Sequence, residues 1–303
     1  MQINSSKQHA WISGSNGLIG RALFTQLQKQ GYQVQAIAHQ QHKALPYVDI
    51  DKNEFSLNGH PAPNIIIHLA GKNIANSRWT EKNKQKFVDS RIKSTQLIAN
   101  YIKQSEHPPT LFICASAIGF YGDSGIKVMT EESQPNTEFV SRLAQEWEST
   151  AQIANTTYTR VASLRTGIVL DKNDGALSKM YPAFQFGLGG KVGNGQQYMS
   201  WISLKDHIRA ILFIMNNQRL NGPINLVSPN PIKNKEFTEQ LAQVLHRPYF
   251  FHLPSVVIKA IFSEMGEALL LSSTRVVPKK LLAAGFEFES TKLKKCLIEI
   301  MKS

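Results

Sequence analysis

Three glycines, Gly14, Gly17 and Gly20, stand three residues apart between a short apolar run and an amphipathic stretch that closes near Gly31. That spacing has a chemical use. The first glycine permits a tight strand-to-helix turn, the second lets backbone N–H groups approach a pyrophosphate, and the third lets the helix pack closely on the strand. A helix opening at such a turn presents unpaired N–H groups and the positive end of its dipole to an anion. A glycine-rich turn by itself is often only a turn. Here Leu18, Ile19, Ala22, Leu23 and Leu27 follow at helical spacing, and residues 34–38 then read as a second strand. The run is therefore read as a dinucleotide site, with Gly14, Ser15, Asn16, Gly17, Leu18, Ile19 and Gly20 around the phosphates.

About 20 residues past the glycines, sites selective for NAD place an acid that bonds the ribose 2′-hydroxyl. Ala38-His39-Gln40-Gln41-His42-Lys43 occupies that place and contains no carboxylate. His39 and Lys43 could instead donate to a 2′-phosphate beside Ala38. NADP is expected over NAD; the alternative is that His39 and Lys43 are solvated loop residues.

The elements that must position this turn follow in alternation. Residues 34–38, 46–50, 65–70, 111–116 and 159–170 read as strands, and 81–103 and 138–154 as helices. Short apolar runs separated by helical patterns predict an α/β fold, a doubly wound parallel sheet of the Rossmann type with a smaller C-terminal α/β substrate lobe. Ligands of such sheets lie beyond the carboxyl ends of the strands. This singles out Ala38 and His39, then Leu69, Ala70 and Gly71, then residues 116–121, and finally residues 165–168, among which Gly167 and Ile168 are the cofactor candidates. Residues 1–170 are assigned to an NADP-binding domain whose sheet later segments complete. Residues 171–303 are assigned to the substrate lobe, with a helical tail from about 250.

Residues 187–202 are rich in glycine. In this segment Lys191 precedes a valine and no strand leads in, so it is not a phosphate-cradling P-loop. It reads either as a structural loop or as a wall of the substrate cleft. Gln196, Ser200 and Trp201 are the candidate substrate contacts, Trp201 being equally suited to anchor a core.

The 303 residues carry a net charge of +12, with lysines scattered rather than gathered in a stripe. This is read as solubility and attraction of an anionic cofactor, with no nucleic-acid partner. No apolar run approaches about 18 residues and the polar start lacks a signal peptide's apolar segment, so no membrane partner and a cytoplasmic location are expected. Cys114 lies within an apolar strand and Cys296 stands alone, which suits buried thiols. The nine histidines show no metal-ligand spacing, and no metal is expected. Nothing in the pattern sets the oligomeric state.

The glycine turn, His68-Leu69-Ala70-Gly71, Ser116 and Tyr121-Gly122-Asp123 together resemble the extended short-chain dehydrogenase/reductase superfamily. Gly71-Lys72-Asn73-Ile74-Ala75 with Arg78-Trp79, Ser90-Arg91 with Ser94-Thr95, Leu164-Arg165-Thr166-Gly167-Ile168, Gly189-Gly190 with Ser200-Trp201-Ile202, and Pro278 with Gly285-Phe286 narrow the resemblance. They resemble the atypical, epimerase-like family with a C-terminal domain of unknown function, over about residues 10–298. The resemblance implies an NADP-binding fold. Ordinary superfamily members use a Tyr-x-x-x-Lys pair, and none of the eight tyrosines here has lysine four residues later. Phe139-Val140-Ser141-Arg142-Leu143 stands where the pair is expected, and Arg91 replaces the usual asparagine. Its planar fork suits the cofactor pyrophosphate or a substrate anion, unless it is a surface ion-pair partner.

Proton transfer must then come from elsewhere. Ser116 could bond a substrate oxygen and Tyr121 could donate a proton, although a serine ending a strand is commonly a cap and Tyr121-Gly122 could simply turn the chain. Lys72 and Asp123 read as loop charges. Two functions follow: an NADP(H)-dependent epimerase or reductase for a small carbonyl, hydroxyl or sugar-nucleotide substrate, or a non-catalytic NADP(H)-binding regulatory or interaction module.

Overall fold

A computed structural model describes residues 8–302. The polar start, and with it the reading of residues 1–7 as leaderless, lies outside the described residues. Six parallel strands form the central sheet: β1 (His9–Ser13), β2 (Gln33–Ile37), β3 (Ile65–His68), β4 (Leu111–Ala117), β5 (Arg160–Thr166) and β6 (Gly222–Leu226). Their order is β6-β5-β4-β3-β1-β2, all parallel, with the order of winding reversing between β1 and β3. Helices α1 (Leu18–Lys29), α2 (Glu81–Gln104) and α3 (Phe139–Ala151) make the crossovers. Neighbouring residues of one strand feed opposite cores, as the two-residue period of a strand requires. Ile12 and Ile67 pack with Leu23, Leu27 and Ile211, whereas Trp11 and Ile66 pack with Ile98, Phe112 and Trp147.

The chain then leaves and re-enters the sheet. Helix α4 (Gly175–Gln185) opens where Asp174 accepts the Gly175 N–H at 2.7 Å. Helix α5 (Leu204–Asn216) buries Ile208, Ile211, Ile214 and Met215 against the sheet and delivers the chain to β6. Helices α6 (Asn234–Leu245), α7 (Ser255–Gly266, interrupted at Ser263), α8 (Lys279–Ala283) and α9 (Leu293–Lys302) build the remainder. Residues 10–12 and 66–67 are so apolar because both faces of the sheet are covered. No described helix is long and apolar enough to cross a membrane.

Three expected elements differ. The strand at 46–50 is Tyr47–Asp49, paired antiparallel with Glu54–Ser56 in a hairpin beside β2 and outside the main sheet. The strand at 159–170 is two, because at Gly167 a Cβ would meet the Ser200 carbonyl at 2.5 Å and Val227 at 2.6 Å; Ile168–Leu170 turns away to pair with Trp201–Ser203. The tail is not purely helical either. Phe251–Leu253 pairs with Gly190–Val192, and Arg275–Val276 returns to pair with Val128–Met129.

One buried carboxylate ties the tail to α5. Asp206, fully buried, accepts the N–H groups of Glu289 at 3.0 Å and Ser290 at 2.8 Å and pairs with Arg209 at 2.7 Å. An apolar side chain there strands two amide donors. Asp206→Ala is expected to lower unfolding free energy by about 2–4 kcal/mol in urea titrations and to speed hydrogen exchange over residues 287–302; unchanged stability would contradict this account.

Candidate functional site

β1 ends at Ser13 and the chain turns through Gly14 at φ +70°, where the Gly17 N–H returns to the Gly14 carbonyl at 3.0 Å. A Cβ on Gly20 would lie 2.1 Å from that same carbonyl oxygen, and one on Gly14 would lie 2.9 Å from the Leu69 and Ala70 backbone. Only hydrogen fits at both places, so α1 presses on the turn and the turn presses on the loop after β3. No side chain caps α1 and no acid occupies its first turn. Its first amides therefore face outward at the positive end of the helix dipole. Asn16 and Gly17 are exposed, and Ser15, Leu18 and Ile19 half-buried. Arg21 donates to the Asn16 carbonyl at 2.6 Å and pairs with Asp174 at 3.1 Å, so the start of α4 braces the turn.

Beneath the turn lies a closed polar chain. Ser94 donates to the Ser90 carbonyl at 2.8 Å, which leaves its oxygen to accept from His68 Nε2 at 3.0 Å. His68 Nδ1 then accepts from Ser13 Oγ at 2.6 Å, and Ser13 Oγ accepts the Ala70 N–H at 3.2 Å. A single tautomer, with the proton on Nε2, satisfies every member. Burial, with Arg91 nearby, drives the His68 pKa down to about 3, so the ring is neutral.

Arg91 projects from α2 to the edge of this arrangement. Its Cζ would be 3.1 Å from a Cβ on Gly71, it donates to the Phe87 carbonyl at 3.1 Å, and it lies 5.1 Å over the Trp147 ring. Burial pulls its pKa down to about 10, and no carboxylate pairs with it among the described residues. A half-buried guanidinium with no counter-charge, set against Gly71, fits a phosphate oxygen. The ion-pair alternative finds no partner.

Ser116 and Tyr121 sit in a different network. Ser116 donates to Glu148 at 2.6 Å; Arg165 grips Glu148 with two bonds of 2.8 Å and donates to Tyr121 Oη at 2.9 Å; Tyr121 donates to Asn225 at 2.7 Å. Both hydroxyls are committed to protein partners, Tyr121 is 1% exposed, and burial raises its pKa to about 12. Proton transfer from either requires this network to open.

The remaining expected positions scatter. Ala38 bonds to the 46–48 strand, while His39 and Lys43 stand exposed with no hydrogen bond or ion pair among the described residues. Leu69, Ala70 and Gly71 line the cradle edge. Gly167 is wedged against Ser200, and the Ile168 N–H bonds the Ser200 carbonyl at 2.8 Å. Ser200 and Trp201, each 1% exposed, lie in the lobe's interior, with Ser200 bonded to Thr274 and the Trp201 indole to Asn230. Gln196 is exposed and accepts from Lys233 at 3.0 Å. Lys72 is exposed, and Asp123 accepts from Gly125 and Ser273. Among the described residues no group of three or more His, Cys, Asp or Glu could hold a metal ion.

Residues 10–226 match the pattern of the NAD dependent epimerase/dehydratase family, and residues 253–300 match a domain of unknown function, DUF1731. The chain belongs to the NAD dependent epimerase/dehydratase family. The epimerase family protein ML0860 of Mycobacterium leprae is 37% identical, with 94% of this chain and 92% of that one covered. The crystal structure of human epimerase family protein SDR39U1 with NADPH superposes at a TM-score of 0.90 with 29% identity, covering 98% of this chain and 100% of that one. UDP-glucose 4-epimerase of Thermotoga maritima with UDP-glucose, 17% identical with a TM-score of 0.75 over 97% and 99%, shares the fold. The family agrees with the resemblance drawn from the motifs.

Within this family member, sequence reasoning missed His68, Ser94, Glu148 and Asn225 as working parts. A signal existed only for the first: His68 is the lone polar residue of Ile65–His68, and it faces Ser13 in the β1 register. Glu148 meets Arg165 across 17 residues of chain and Asn225 meets Tyr121 across 104, pairings that periodicity does not reveal.

Two buried histidines give a pH signature. His207, fully buried with Nε2 3.1 Å from Thr166 Oγ1, is likewise pushed down to about 3 by burial. In the unfolded chain both take protons near pH 6.5, so below that pH the unfolded state binds more protons and stability falls. Each is expected to remove up to about 1.4 kcal/mol per pH unit. Unfolding free energy should therefore drop more between pH 6 and 5 than between 7 and 6; a flat profile down to pH 5 would refute neutral burial.

Proposed function

We propose that this chain binds NADP(H) and serves as an oxidoreductase or epimerase for a small carbonyl, hydroxyl or sugar-nucleotide substrate. The observation that carries this is Arg91, a cation without counter-charge among the described residues, set against Gly71 at the end of the loop that packs on the Gly14 turn. The turn of Gly14, Ser15, Asn16, Gly17, Leu18, Ile19 and Gly20 takes the pyrophosphate through the uncapped amides at the start of α1, and Arg91 adds a charged donor to it. Leu69, Ala70 and Gly71 form the near wall, with Gly167 and Ile168 at the far side. His39 and Lys43, exposed beyond β2 with free donors, hold the 2′-phosphate beside Ala38. The human relative crystallised with NADPH supports this choice. Bound in its reduced form, the nicotinamide supplies a hydride.

Ser116 near the end of β4 and Tyr121 just beyond it stand where the reacting end of such a cofactor falls. In their present bonds they shape the floor of the site, and Gln196 lies on the far lobe. Because both hydroxyls are closed into protein, a second reading has specific support: NADP(H) occupancy of a module that does not turn over.

Calorimetric titration tests the cofactor. NADPH is expected to bind at least about tenfold tighter than NADH, and Arg91→Ala to weaken NADPH about 10- to 100-fold, the worth of a charge-assisted bond. Lys43→Ala with His39→Ala should abolish the preference while sparing NADH. Equal or tighter NADH binding defeats the NADP reading. Tight NADPH binding with no substrate-dependent change in nicotinamide absorbance across carbonyl and hydroxyl panels favours the module.

A further inference from the structure

Past the carboxyl ends of β3 and β4, the loop 72–80, the loop 118–138 and the segment 259–272 enclose a cleft of about 520 Å³. One wall is aromatic. Trp79 meets Phe139 edge-on, with ring centroids 5.3 Å apart at 67°, and its indole N–H is anchored on the Ile74 carbonyl at 2.8 Å. Trp79 is half-buried, whereas Trp11, Trp147 and Trp201 are 1%, 6% and 1% exposed, so it is the indole a ligand can reach.

The charges around that wall run against the rest of the molecule. In a chain of net charge +12, the cleft is lined by four carboxylates, Asp123, Glu138, Glu264 and Glu267, and by two cations, Arg142 and Lys259. Lys259 is spent on Glu267 at 2.6 Å, and the Arg142 guanidinium donates to the Thr137 carbonyl. Just behind Phe139, Lys84 is taken by Glu264 at 2.6 Å and Glu81 at 3.3 Å. With Glu264 and Glu267 each ion-paired, Asp123 and Glu138 against the one guanidinium of Arg142 leave a small acidic excess, which disfavours a doubly charged diphosphate. An uncharged ring, by contrast, gains stacking and apolar burial on Trp79 and Phe139.

We infer that this cleft takes an uncharged, ring-bearing carbonyl compound laid against Trp79 and Phe139, and excludes nucleoside diphosphate sugars. The inference rests on the NADP(H) reading of the adjoining cradle and narrows its substrate.

Saturation-transfer difference NMR on protein loaded with NADP+ tests it, with acetophenone and UDP-glucose as probes at equal concentration. The ring protons of acetophenone should receive saturation and UDP-glucose should receive none. Trp79→Ala is expected to cut the acetophenone signal at least about fivefold, while Trp79→Phe retains most of it. NADPH titration of each variant certifies the fold. Saturation of UDP-glucose, no transfer to acetophenone, or an acetophenone signal indifferent to Trp79→Ala overturns the inference. If NADPH binds and UDP-glucose also occupies the cleft, only the substrate class falls. If acetophenone binds through Trp79 but NADPH does not bind, the cradle reading falls and the character of the cleft stands.

Discussion

The site depends on a contact that no side chain could make: the backbone of Gly20 against the carbonyl of Gly14, where a Cβ would stand 2.1 Å from oxygen. That approach seats α1 on the end of β1 and points its uncapped amides outward. The same turn is packed on Leu69 and Ala70, and Ser13 directly beneath it bonds both Ala70 and His68. His68 reaches Ser94 on α2, and one turn earlier on that helix Arg91 lies against Gly71. Turn, loop and helix fix one another in a closed circuit. Donors suited to a phosphate are thus held by protein contacts alone, which lessens the ordering that binding must impose.

A second constraint secures the other half of the sheet. Arg165 and Glu148 are buried together, with side chains 4% and 12% exposed, and join β5 to α3. Removing two charges from water is expensive, and only saturated geometry offsets it. Here the saturation comes from Ser116, Tyr121 and the Phe120 ring, whose centroid is 3.4 Å from the guanidinium carbon. The residues that chemistry could have used are the ones that satisfy the ion pair. A buried network of this kind gains rigidity because each member is bonded, and for the same reason it has no hydroxyl to spare.

The glycine turn, the order of strands and helices and the reversal of the sheet were legible because they rest on local spacing and two-sided burial. Gly14, Gly17 and Gly20 announce a backbone geometry within seven residues. Helices α2 and α3 were readable to within a few residues from their helical spacing, whereas α4 was hidden because Pro182 and flanking glycines mask its apolar face. Gly167 broke an apolar run that looked continuous, for a reason lying in Ser200 and Val227 far along the chain. Trp201 could be read as cleft or core, and burial puts it in the core. Arg91 drew notice as a departure from a motif. That it lacks a carboxylate could emerge only when α2 was laid beside α3.

The two binding regions differ in how they use charge. The cradle contains no lysine cluster; it relies on amides, a helix dipole and one guanidinium freed from ion pairing, so its preference for an anion is local and directional. The surrounding net charge of +12 adds only a long-range attraction, screened beyond about 10 Å at ordinary salt. The cleft past β3 and β4 has four carboxylates against two cations, with Lys259 paired to Glu267 and Arg142 bonded only to the Thr137 carbonyl. With NADP(H) in the cradle as proposed, an anionic cofactor and a phosphorylated substrate would meet different fields past the carboxyl ends of the strands, a contrast that would sort the two by charge before any contact discriminates between them.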